Sequence, residues 1–154
     1  MATKPEAQFI CSVNKHIPPS VHHQSMDGTF TSGTPDQYYE GDIDHLWVEW
    51  KFSPSLPPVI DLTNQSQRAK LSKLQQTWLK RAYVNNQPCA VILGTPKGGY
   101  IYTHEQWLLP IRREVMANLL LSKKELAEWI QQQVAFISTT RRSHASELSK
   151  SLAR

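Results

Sequence analysis

The chain has 154 residues, enough for one domain with its own core, and its composition (40% hydrophobic, 19% charged, 6 Gly, 10 Pro) excludes a disordered or collagen-like chain. Lys and Arg number 17 against 13 Asp and Glu, a formal net charge of +4, which favours a polyanionic partner without identifying one. Cys11 and Cys89 lie far apart with no CxxC spacing, so neither a disulfide framework nor a zinc site is expected, and no apolar run approaches the length of a membrane helix.

The opening MATKPEAQFICSVNK carries an acid and lacks the apolar centre of a signal peptide; the expectation is a soluble protein of the cytoplasm, its own or a host's, with no membrane partner and no secretion. TKPEAQFICSVNKHIPP reads as a helix with Thr3 as N-cap, Glu6 three residues on in a capping-box pattern, and Pro18 as the stop. Glu6, Ile10, Val13 and Ile17 share helical spacing, so Glu6 falls on the stripe facing the protein, where an acid needs a partner. HHQSMDGTFTSG mixes a short strand with a loop. TPDQYYEG and HLWVEWKF are strand-like runs joined by the turn-forming GDID, a β-hairpin in which Glu49 and Lys51 point to one face.

The stretch from Phe52 to Lys70 has three prolines and no period, long for a loop and therefore a candidate for function. LSKLQQTWLKRAYVNNQ is an amphipathic helix with Ser72 and Gln75 as a second capping box and Leu74, Trp78 and Ala82 as its stripe. PCAVILG reads as a buried strand, TPKGG as a turn and YIYT as its continuation. Thr103 with Gln106 predicts a helix start stapled by Tyr102 and Trp107 and broken at Pro110; Ser122 with Glu125 predicts the last helix, with Ile130 and Ile137 inward. From Ser138 the chain holds Arg141, Arg142, Lys150 and Arg154 against Glu147, a basic, flexible tail over 138–154.

The hairpin carries the chemistry. Two carboxylates on adjacent strands, with a lysine on the same face, suit a hard, oxygen-seeking cation such as Mg²⁺ or Mn²⁺; Asp36 and Glu49 supply the pair and the backbone carbonyl of Trp50 a third oxygen. Lys51, protonated near neutrality, suits positioning of a nucleophilic water and stabilisation of the phosphate better than proton abstraction. Lys70, Lys73, Lys80 and Arg81 are candidates for phosphate contacts, as is His23 beside His22; a solvated surface explains them equally well. GTPKGGY lacks the GKS or GKT of a phosphate loop and the helix after it, so no nucleotide cofactor is expected. Trp47, Trp50, Trp78, Trp107 and Trp129 sit at core-like spacing and are read as packing residues.

GTPD followed by EWK, with Asp36 and Glu49 thirteen positions apart, resembles the PD-(D/E)XK nuclease superfamily. With Glu6, SGTPDQYY, LWVEWK, LSKLQQTWL and PCAVILG taken together, the chain is most similar to the virus-type replication-repair nuclease (VRR-NUC) branch, over roughly residues 1–105. The resemblance implies an α/β, restriction-endonuclease-like core of helix, mixed central sheet and crossing helix, here in a single domain over 1–137 with additional C-terminal helices. It implies Asp36 and Glu49 as metal ligands, Lys51 as the catalytic lysine, Glu6 as an acid near the metal, reached through water, and Gln75 as the glutamine after the lysine strand. Glu6 and Gln75 are equally well read as capping residues that satisfy backbone donors. It further implies a Mg²⁺- or Mn²⁺-dependent DNA endonuclease working as a homodimer on branched DNA, a Holliday junction or flap, in replication, recombination or repair. A sequence-specific or nicking restriction-like enzyme, and a non-catalytic nucleic-acid-binding protein of the same fold, are the competing readings.

Overall fold

A computed structural model describes residues 3–26 and 33–136. Helix α1 spans Lys4–Asn14: the Thr3 hydroxyl accepts the Glu6 N–H at 3.4 Å, Pro5 sits in the first turn, and Phe9, Ile10 and Val13 are buried. The helix stops before Ile17, which is only partly buried against the core.

Strands β1 (His22–Ser25), β2 (Gln37–Glu40), β3 (His45–Phe52), β5 (Cys89–Thr95) and β6 (Gly98–Thr103) form one sheet in the order β1-β2-β3-β5-β6. The predicted hairpin is β2 and β3, antiparallel with Gln37 opposite Val48 and Glu40 opposite His45. β3 and β5 are parallel, with Glu49 opposite Val91, and the crossover between them carries helix α2 (Lys73–Val84). Every other neighbouring pair in the sheet is antiparallel, which makes it mixed.

The sheet separates two apolar layers. On one side Leu46, Val48, Trp50, Ala90 and Ile92 pack under α1 and α4 (Lys123–Val134). On the other, Val91, Leu93 and Tyr102 pack with Leu79 of α2, with Ile60, Leu62 and Leu71 of the long loop, and with Trp107 and Met116. Trp50 and Trp107 are fully buried, whereas Trp47 and Trp78 are half-buried and meet edge to face at 5.5 Å.

Three expectations are corrected. The stretch after Phe52 is not structureless: Val59–Ile60 forms β4 and pairs antiparallel with β7 (Ile111–Arg112). The helix expected from Thr103 is one 3₁₀ turn, Gln106–Leu108, whose Gln106 side chain accepts the Thr103 N–H; Pro110 then ends it, and only the short α3 (Arg113–Ala117) follows β7. In α2 the inward face is Gln76, Leu79 and Ala82, and Leu74 is exposed, because polar Gln75 and Gln76 turn toward the sheet. Helix α4 begins as expected, with a complete Ser122–Glu125 capping box and with Leu126 and Ile130 buried. Ile137, the tail over 138–154 and residues 27–32 of the loop before β2 lie outside the described residues.

Candidate active site

Alternation along β3 turns Leu46, Val48 and Trp50 into the α1/α4 layer and Trp47, Glu49 and Lys51 toward α2. Hydrogen-bond direction alternates too. Trp47 N–H donates to Pro88 and Ser53 N–H to Gly94 on the β5 side, so the even-numbered residues direct their backbone groups toward β2. The β2 pairing ends at Gln37 opposite Val48, and the next donor on that side, Trp50 N–H, is taken by Asp36 Oδ2 at 3.1 Å. The Asp36 carboxylate therefore stands where the next ladder rung would be. In an extended strand the N–H and C=O of one residue leave on the same side, so the Trp50 carbonyl opens toward Asp36 as well.

Gln75 closes the site from α2. Its Oε1 accepts from Ser72 N–H at 2.8 Å, completing the capping box, and from Lys51 Nζ at 3.1 Å. With both donors on the oxygen, the amide can present only its nitrogen to the remaining neighbour, and Nε2 donates to Glu49 Oε1. Lys51 Nζ lies 3.4 Å from the same Oε1. The side chain that caps α2 thus also bridges Lys51 and Glu49.

Glu49 is 1% exposed. Burial, followed by the Asp36 charge, pushes its carboxyl up to about 8 from an ordinary 4.5; Lys51 opposes the shift and Glu6 on α1 adds to it. Its second oxygen, Oε2, is buried with no hydrogen-bond partner among the described residues. An orphaned carboxylate oxygen beside a second carboxylate, with the Trp50 carbonyl directed to the same side, is a hard-oxygen donor set that fits Mg²⁺ or Mn²⁺, which would satisfy Oε2 and reverse the repulsion.

One residue that the spacing arguments did not single out helps hold this arrangement. Gly33, at φ +93°, brings the segment before Asp36 against the first turn of α2; a Cβ there would sit 2.5 Å from the Leu74 carbonyl oxygen. The signal for it is the Ser-Gly step ahead of TPD.

The proposed phosphate contacts scatter. Lys73, Lys80 and Arg81 are exposed on α2. Lys70 Nζ donates to the Gln65 carbonyl at 2.7 Å, so its ammonium braces the loop. His22 and His23 are exposed on β1; the His23 ring lies 6.0 Å from that of Tyr39 and lines a groove of about 490 Å³ together with Asp36 and α1.

No family model and no curated protein matches the chain by sequence. Among solved structures the fold is similar to that of Hjc, a Holliday junction resolvase from the archaeal hyperthermophile Archaeoglobus fulgidus, with a TM-score of 0.51 and 18% identity over 83% of this chain and 99% of that one. At that identity the likeness is one of fold, and the fold is the one expected from the sequence: a restriction-endonuclease-like α/β core with a mixed central sheet.

Proposed function

We propose that this chain is a divalent-metal-dependent DNA endonuclease of the PD-(D/E)XK superfamily and its VRR-NUC branch, selective for branched DNA in replication, recombination or repair. One observation carries the reading: Glu49 is buried between Lys51 and Gln75 with Oε2 unpartnered among the described residues, beside an Asp36 carboxylate held in place by the backbone of the same strand. A structural hairpin has no need of a buried, unpartnered acid oxygen, which costs stability wherever it is not used.

Asp36, Glu49 and the Trp50 carbonyl would hold the cation, with Glu6 reaching it through water. Mg²⁺ or Mn²⁺, when bound, would acidify a water and neutralise charge on the phosphate. Lys51, anchored by Gln75, holds a positive charge 3.4 Å from Glu49 Oε1, where it can orient the attacking water and stabilise the phosphate oxygens. Gln75 fixes the mutual positions of acid and lysine, and the rigid β3–α2 link keeps them aligned without ligand.

The preference for branched DNA is supported by the fold shared with a Holliday junction resolvase and by the motifs in GTPD and EWK. A homodimer would place two such sites on two strands of a junction. Incubation of the protein with linear, flap and four-way-junction DNA in Mg²⁺, Mn²⁺ or EDTA, beside Asp36→Ala and Lys51→Ala, tests the reading. Metal-dependent cutting of branched substrates that both variants lose is the expected result. Defined cuts on linear duplex would instead support the restriction-like reading, and binding without cutting a non-catalytic one.

A further inference from the structure

Strand β2 alternates, so Gln37 and Tyr39 share the face that packs under α1, as does Val48, the ladder partner of Gln37 on β3. Tyr39 satisfies its hydroxyl by donating to Asn14 Oδ1 at 2.7 Å. Gln37 has no such arrangement. It is 7% exposed, and its amide has no hydrogen-bond partner among the described residues. A buried amide carries two donors and an acceptor oxygen, and leaving them unmade costs stability unless something binds there.

Gln37 lines the groove of about 490 Å³ between α1 and the β1–β2 edge, and Asp36 lines it too. The residue whose carboxylate takes Trp50 N–H beside Glu49 therefore belongs to the groove as well as to the proposed metal site, and Gln37 follows it directly in the chain. No lysine or arginine stands among the lining residues, and Asp36 is their one carboxylate. Such a lining does not suit a phosphate. Ala7 and Cys11, exposed on α1, are small enough to leave room for a ring, and Asn14, with Oδ1 engaged by Tyr39, keeps its Nδ2 donors. A neutral, flat ligand with hydrogen-bonding edges fits these walls, and a nucleobase is one.

We propose that this groove takes one unpaired base beside the scissile phosphate and that Gln37 reads it as adenine, with Nε2 donating to N7 and Oε1 accepting from the N6 amino group. The inference rests on the nuclease reading and adds a base preference to it. Guanine would set its O6 against Oε1, and the pyrimidines have no N7, so the amide's donor and acceptor together favour adenine. A base inside a duplex cannot reach an amide recessed between helix and sheet. One at a branch point lacks a stacking neighbour and is cheaper to turn out, so the groove joins branch selection to a preference at a single position.

The test uses four-way junctions carrying A, C, G or T in turn at each nucleotide flanking the branch, bound in EDTA so that no cutting intervenes. Wild type should prefer adenine at one position by about fivefold or more in affinity. At that position 7-deazaadenine, which lacks N7, and unsubstituted purine, which lacks the N6 amino group, should bind no better than the other three bases. Gln37→Leu should bring adenine down to the same level. The modified bases remove the same contacts without altering the protein, so the answer is readable even where the variant folds poorly. No preference at any position, a preference for another base, or one that survives either the modified bases or Gln37→Leu overturns the inference. Cleavage of the same junctions in Mg²⁺ or Mn²⁺ separates the two claims. A Gln37-dependent adenine preference without any cleavage would sink the nuclease reading and leave the groove's ligand standing, whereas cleavage with no base preference would sink the groove's ligand alone.

Discussion

Gln75 holds Glu49 and Lys51 at once, donating to the acid through Nε2 and accepting from the lysine through Oε1 at 3.1 Å, while the same Oε1 caps α2 through Ser72 N–H. Helix start and site geometry are therefore one hydrogen-bond network, and its two functions can be pulled apart by mutation.

Helix α4 provides the control, because Glu125 caps Ser122 in the same way with no site attached. Gln75→Ala and Glu125→Ala should each lower stability by about 1 kcal/mol in thermal unfolding. Only Gln75→Ala should also reduce cleavage, by roughly tenfold or more, since Lys51 and Glu49 lose their common partner. Equal cleavage by the two variants would reduce Gln75 to a cap.

Asp36→Asn keeps an acceptor for Trp50 N–H and removes the charge, whereas Asp36→Ala leaves that donor unpaired. The alanine variant should be the less stable of the two by about 1–3 kcal/mol, and both should lose metal-dependent cleavage. Calorimetric melting and a junction assay on the same preparations separate the effects.

The raised Glu49 carboxyl makes metal-free stability depend on pH. Between 4.5 and about 8 the unfolded chain ionises this group while the folded protein keeps it protonated, so its contribution is fully present below 4.5 and lost as pH rises through about 8. Denaturant unfolding in EDTA should show a decline over that window, at most on the order of a few kcal/mol. Glu49→Gln should flatten it. An unchanged pH profile in Glu49→Gln would mean that the buried acid is not the titrating group.

Gly33→Ala should damage the site from a distance. The added Cβ meets the Leu74 carbonyl and the φ of +93° disfavours any side chain, so the Asp36 segment and the start of α2 must separate. Loss of cleavage out of proportion to the fall in melting temperature is the expected signature.

Local signals made much of this legible in the sequence. The capping boxes at Ser72 and Ser122, the GDID turn and the alternation in LWVEWK depend on residues a few positions apart, and each lies where it was expected. Glu6, placed on the inward stripe by spacing, is near enough to act on the Glu49 charge. What was not legible depends on partners distant in the chain. Val59–Ile60 is a strand only because Ile111–Arg112 pairs with it, and the bracing of the loop needs Arg113. In α2, apolar spacing pointed to Leu74, whereas the sheet side is occupied by Gln75 and by Gln76, whose amide donates to the Leu71 carbonyl. Hydrophobic pattern is blind to a helix face turned inward by polar side chains.

The central claim is that Asp36 and Glu49 hold a divalent cation. Calorimetric titration of Mn²⁺ into the protein at pH 7, repeated in buffers of different ionisation enthalpy, tests it most directly. A Glu49 carboxyl raised to about 8 is mostly protonated there and must lose its proton to bind metal, so wild type should release about one proton per ion. Glu49→Gln and Asp36→Asn should bind far more weakly, and Glu49→Gln should release no proton. Wild-type affinity retained in Glu49→Gln, or binding without proton release, would contradict the account.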